Sequence, residues 1–159
     1  MEKRPKRDRL FVILWNIRSI FNVGSIFRTA DAVGVDKIYL CGYTPTPDKE
    51  PKMAKTALGA EKTVPWEKCK QITPLIKKLK KDGVRIAAIE LHKKSKNLFE
   101  YKPTAPVALI FGHERNGVGS TALALADDIL EIPMRGKKES LNVSVAAGIV
   151  LYQIRNESL

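Results

Sequence analysis

Apolar residues in this chain come as short unbroken runs, separated by stretches in which they recur every three or four positions. Five segments have strand length: Leu10–Trp15, Lys37–Cys41, Val84–Leu91, Val107–Phe111 and Asp128–Ile132. The continuous runs, rich in branched and aromatic side chains, suit strands buried on both faces of a parallel sheet. Between them, Val23, Ile26, Phe27, Ala30 and Val33 follow helical spacing, with Asn22 as a helix cap and Gly34 as the residue that ends it. Ile72, Leu75, Ile76 and Leu79 form a second stripe, entered through Thr73-Pro74 and closed by Gly83. Ser120 is placed to cap a helix over Thr121–Ala126. The segment Asn142–Arg155 is apolar on nearly every face and therefore predicts a buried helix.

The remaining segments are less regular. Tyr43–Pro51 carries Pro45, Pro47 and Pro51 and reads as a surface loop of variable conformation, of the kind that often binds ligands. Lys52–Ala60 reads as a short helix, and Glu61–Trp66 as an extended piece whose Pro65 argues against a central place in a sheet. Strands alternating with helices, with glycine-rich turns at strand C-terminal ends, predict an α/β domain with a mainly parallel sheet and helices on both faces. Ligands then belong where Gly112–Gly119 and Pro133–Ser140 meet.

Charge changes the picture. With 28 Lys and Arg against 17 Asp and Glu, the 159 residues carry a formal +11, which favours a polyanionic partner, nucleic acid first. Met1–Arg9 is a basic arm, and residues 10–159 form one domain, or one that completes itself by pairing. Lys77, Lys78, Lys80 and Lys81 make the outer face of the second helix basic, as a nucleic-acid contact or as a plain solvated surface. Cys41, Cys69, His92 and His113 lack metal-ligand spacing, so the thiols read as structural and no metal is expected. No run reaches membrane-spanning length and the first residues have no apolar segment before a cleavage site. The expectation is a cytoplasmic protein without membrane partners.

The glycine-rich turns exclude several chemistries. No Lys-Ser or Lys-Thr follows the glycines as in a P-loop, and the dinucleotide spacing G-x-G-x-x-G is absent. His113-Glu114 lacks the second histidine of a zinc-protease helix. What remains is backbone beside small side chains, suited to a nucleoside-like cofactor, with Asn22, Arg28, Glu114, Ser140 and Asn142 able to orient a second substrate. Arg28 shares a helix face with Ser25 and Ala32, away from the apolar stripe.

Three blocks then fall into place together: Asn22-Val-Gly-Ser-Ile-Phe-Arg28-Thr-Ala30, Phe111-Gly-His-Glu114-Arg-Asn-Gly117, and Ile132-Pro-Met134 running on to Ser140-Leu-Asn142-Val-Ser-Val-Ala146. In kind and order they resemble the motifs of the SpoU (TrmH-like) branch of the SPOUT RNA methyltransferases. The resemblance implies a C-terminal deep trefoil knot, which periodicity cannot show. It implies S-adenosylmethionine lying against Leu91, Gly112, Ile132, Met134 and Leu141, and 2′-O-methylation of a ribose in tRNA or rRNA. Arg28 would be the catalytic arginine, with Asn22, Glu114, Ser140 and Asn142 completing the site. A homodimer is implied as well, and an apolar terminal helix with more surface than one small domain can cover agrees with it. No separate N-terminal RNA-binding domain or long terminal helical extension of the kind many relatives carry is expected here, which would leave RNA recognition to this core or to a helper. Two alternatives stay open: a catalytically silent protein that binds cofactor and RNA during assembly, and base methylation within the same superfamily.

Overall fold

The computed structural model describes residues 4–104 and 106–158; the first three residues of the basic arm lie outside this range. Seven strands form one sheet in the order β3-β2-β1-β6-β4-β7-β5. They are β1 (Leu10–Trp15), β2 (Lys37–Cys41), β3 (Trp66–Cys69), β4 (Arg85–Ile89), β5 (Lys96–Asn97), β6 (Val107–Phe111) and β7 (Asp128–Glu131). Every pairing is parallel; Leu10 opposes Val107, for example, and Phe11 opposes Lys37.

Each face of the sheet is covered, as the unbroken apolar runs require. Val12 and Leu14 point into one core with helices α1 (Ile20–Val33) and α6 (Val143–Glu157) and the short helices α2 (Ala54–Ala57) and α3 (Ala60–Thr63). Phe11 and Ile13 point into a second core against α4 (Ile72–Lys81) and α5 (Ser120–Leu125). Helix α1 buries Val23, Ile26, Phe27, Ala30 and Val33, each large side chain contributing about 1.5–3 kcal/mol against exposure. These are the positions the spacing gave, and the helix ends at Gly34 in the left-handed conformation.

The helix starts differ from expectation. Helix α1 begins at Ile20, because the Ser19 side chain takes the backbone N–H of Asn22 and caps the helix before Asn22 can. Helix α4 starts at Ile72 after Gln71, and α5 follows Gly119, neither with a side-chain cap. Residues 60–63 are helical, and the extended piece comes later, as edge strand β3 after Pro65. The proline loop after β2 is anchored rather than loose: Thr44 is buried, its hydroxyl donating to Leu14 O at 2.9 Å and accepting from Ile17 N at 3.1 Å.

At the N-terminal edge of the sheet, Asp128 accepts hydrogen bonds from Arg85, Lys96 and the hydroxyl of Tyr101. Burial pushes this carboxyl up, but the three donors outweigh it and hold it down at about 2. Arg85, Lys96 and Tyr101 belong to β4, β5 and the turn after it, so one carboxylate ties the far end of the sheet together.

Candidate active site

At the opposite edge a cleft of about 540 Å³ opens between the ends of β4, β6 and β7 and the start of α6. Its volume lies within the usual range for a small organic ligand. Leu91, Ile132, Met134 and Leu141 line it with apolar groups, and Gly112, Glu114, Ser140 and Asn142 line it as well. Nine of the ten residues singled out in the sequence lie in or touch this cleft: eight line it, and Asn22 meets one of the eight.

The turn after β6 forms one wall. A Cβ on Gly112 would run into the Gly117 carbonyl and Val118 Cα, so glycine is required there for the turn to close upon itself. Gly117 has φ +68° and packs on Glu90, whose carboxylate accepts from Val118 N at 2.9 Å and Leu91 N at 3.2 Å. Glu90 thus fastens the end of β4 to the turn after β6. Glu90 is not among the residues singled out from the sequence, and its partner Val118 lies 28 residues away. Two backbone N–H groups, of Arg115 and Asn116, donate to His113 Nδ1 at 3.0 Å each, which holds the ring in the turn.

Glu114 reaches out of the turn to the segment before α1. Its carboxylate accepts from the backbone N–H groups of Arg18 and Ser19, both at 3.3 Å. Burial alone would raise its pKa, but these bonds and the backbone of its own turn outweigh that and hold the group below its usual value. Glu114 is therefore ionised at neutral pH and acts here as an acceptor that positions a loop.

Asn142 is the cap of α6. Its side-chain oxygen accepts from Ser144 N at 2.9 Å, Val145 N at 3.4 Å and the Ser144 hydroxyl at 2.6 Å, while its amide donates to Asn22 Oδ1 at 3.3 Å. Asn22 so joins the cleft through Asn142. Arg28 does not: it is exposed on α1, six residues and about 9 Å further along the axis, and has no side-chain hydrogen bond or ion pair among the described residues. Its side chain tilts back towards the helix start, as all helical side chains do.

The described residues contain no cluster of three or more His, Cys, Asp or Glu able to hold a metal, and no helix is long and apolar enough to cross a membrane. Cys41 and Cys69 face each other across β2 and β3 as free thiols, and burial pushes the Cys41 thiol up.

Residues 9–152 match the model of the SpoU rRNA methylase family. The chain belongs to this family. It is 35% identical over 98% of its length to the tRNA (guanosine(18)-2′-O)-methyltransferase of Thermus thermophilus, covering 79% of that protein. The fold is similar to that of an AdoMet-bound rRNA methyltransferase from Sinorhizobium meliloti, with TM-score 0.88 and 28% identity over 99% of this chain and 59% of that one. It is also similar, at TM-score 0.83 and 26% identity over 94% of this chain and 95% of the other, to a structure described by the 2-OH methylation of C/U34 on tRNA. Against the first of these structures the chain spans about three-fifths of the relative's length.

Proposed function

We propose that this SpoU-family chain transfers a methyl group from S-adenosylmethionine to a ribose 2′-hydroxyl of tRNA or rRNA. The observation that carries the reading is the cleft itself. The residues that match the family's second and third motifs converge on one cavity of ligand size, and the first motif is fastened to it through Asn22. The cavity fits the cofactor chemically: apolar Leu91, Ile132 and Leu141 suit a purine ring, and the turn at Gly112 brings backbone close to it.

Bound there, the sulfonium would supply a methyl group already activated for transfer, so no metal is required of the protein. The protein's part is alignment and proton handling. Asn142 and Asn22 hold the starts of α6 and α1 side by side, and Glu114 fixes the backbone of Arg18 and Ser19 beside them. Ser140 sits at the cleft wall, where its hydroxyl can meet the acceptor ribose. Arg28 is read as a clamp on the phosphate next to the acceptor and a stabiliser of developing alkoxide charge, since a guanidinium is a poor base.

Two further parts of the reading follow from the same resemblance. One is the deep trefoil knot of the C-terminal segment. The other is a homodimer in which α6 pairs with its copy. Helix α6 leaves Val145 and Tyr152 more than half exposed, and Phe21 at the start of α1 is 48% exposed. These exposed apolar groups lie on two helices packed against each other, which supports a face that a second copy could cover.

Calorimetric titration of S-adenosylmethionine in the presence of chelator, with transfer of labelled methyl to RNA from cells lacking the gene, tests the reading. Binding and transfer are expected. Absence of binding, or binding that disappears with chelation, would remove it.

A further inference from the structure

The C-terminal edge of the sheet is divided in two. The ends of β6, β4 and β7 make the cofactor cleft, while the ends of β2 and β1 carry further groups that meet the cleft's rim at the turn after β6. Tyr43 is one of these. It is 56% exposed, and its ring lies edge to face with His113 at 6.3 Å between centroids and 81° between planes. His113 in turn lines the cleft.

An exposed aromatic on a loose loop is unremarkable, but the backbone under Tyr43 is pinned from three sides. Its N–H donates to Asn16 Oδ1 at 3.1 Å, from an asparagine held at φ +57°. Lys68 Nζ donates to the carbonyls of Gly42 and Thr44 on either side of it, at 2.6 and 3.1 Å. Thr44 is buried and bonded to both Leu14 and Ile17. Asparagine is well suited to this left-handed conformation, and the anchored backbone seats the exposed Tyr43 ring against His113. Exposed Arg18 follows Ile17, which is bonded to Thr44, and exposed Arg115, which also lines the cleft, lies two residues after His113.

We propose that Tyr43, seated against His113, is a stacking platform for an unpaired base of the RNA next to the methyl acceptor, with Arg18 and Arg115 on the flanking phosphates. This rests on the RNA-methyltransferase reading above. A ribose that reaches the cleft brings its neighbouring nucleotide to the rim, and the rim offers an exposed aromatic ring on an anchored backbone, with exposed arginines nearby in sequence. Unpaired bases bind aromatic side chains in this way without regard to sequence, and the chain's formal +11 suits the backbone that carries them.

The test measures binding of unfractionated tRNA to the full chain over a series of salt concentrations, with cofactor affinity measured in parallel. Tyr43→Ala should weaken RNA binding roughly 10-fold, the scale of one lost base stack, and leave the salt slope unchanged because no charge is removed. Tyr43→Phe should bind within about twofold of the parent, since the ring and not the hydroxyl makes the contact. Arg115→Ala should instead lower the salt slope by about one. Cofactor affinity should stay at the parent value in both Tyr43 variants. The proposal is overturned if Tyr43→Ala binds RNA like the parent, if Tyr43→Phe loses as much as Tyr43→Ala, or if Tyr43→Ala also loses cofactor. If the parent protein transfers methyl groups and only the Tyr43 effect is missing, the stacking platform fails alone. If the parent neither binds RNA nor transfers methyl groups, the reading beneath it fails and the platform with it.

Discussion

The side-chain amide of Asn142 donates to Oδ1 of Asn22 across 3.3 Å, joining the starts of two helices that lie 120 residues apart in sequence. Asn142 also caps its own helix, so the residue has two duties that substitutions separate. Asn142→Ala removes both and should lower stability by about 1 kcal/mol, the usual worth of a cap, along with the methyl-transfer rate. Asn142→Asp keeps an oxygen for Ser144 and Val145 but has no amide for Asn22. Thermal melts should find it near parent stability while transfer stays impaired; full activity in the aspartate variant would show the contact to Asn22 to be idle.

Gly112 is closed in by its own turn. Even Gly112→Ala should destabilise the fold by about 1–3 kcal/mol, since the added carbon meets Gly117 and Val118 backbone that cannot step aside. Loss of cofactor affinity should accompany it. A melt unchanged from the parent would mean the turn relaxes cheaply.

Arg28 stands apart from the cleft wall, which makes its role the sharpest question in the site. Arg28→Ala should leave cofactor affinity nearly intact and lower the rate of transfer by roughly two to four orders of magnitude. Arg28→Lys should recover little, because a point charge does not reproduce the planar fork on phosphate. A fully active lysine variant would replace the clamp by generic positive charge.

Strong acid should loosen the far edge of the sheet. The folded-state pKa of Asp128, about 2, is below its unfolded value near 3.9, so its contribution is complete above that value and is lost as pH falls through the interval between them. Asp128→Asn keeps the shape but not the charge facing Arg85 and Lys96. It should be less stable than the parent at pH 7, with the gap closing towards pH 2. A gap that persists at the lowest pH would point to lost packing instead.

Much of this was legible in the sequence, and the reasons differ by element. Leu10–Trp15 and Val107–Phe111 announce themselves because strands buried on both faces carry no polar alternation. Strand β5 does not, being two polar residues held only by pairing to β7. The start of α1 was misplaced because Ser19 and Asn22 are both good caps, and which one serves depends on where the chain leaves β1. Two of the three motifs gather the cleft, since Gly112, Ile132 and Asn142 fall at the ends of elements where loops meet, and the first reaches it only through Asn22. Glu90 and Tyr43 escaped for a different reason. Their partners, Val118 and His113, are 28 and 70 residues away, and no local spacing records such a contact.

The position of the transferred methyl group tests the central claim most directly. Unmodified tRNA and rRNA treated with the protein and S-adenosylmethionine can be digested to nucleosides and read by mass spectrometry, with the modified site then rebuilt in an RNA carrying a single 2′-deoxy sugar there. The account predicts the methyl group on the ribose fragment and no transfer to the deoxy substrate. A methyl group on the base, or undiminished transfer to the deoxy RNA, would contradict it.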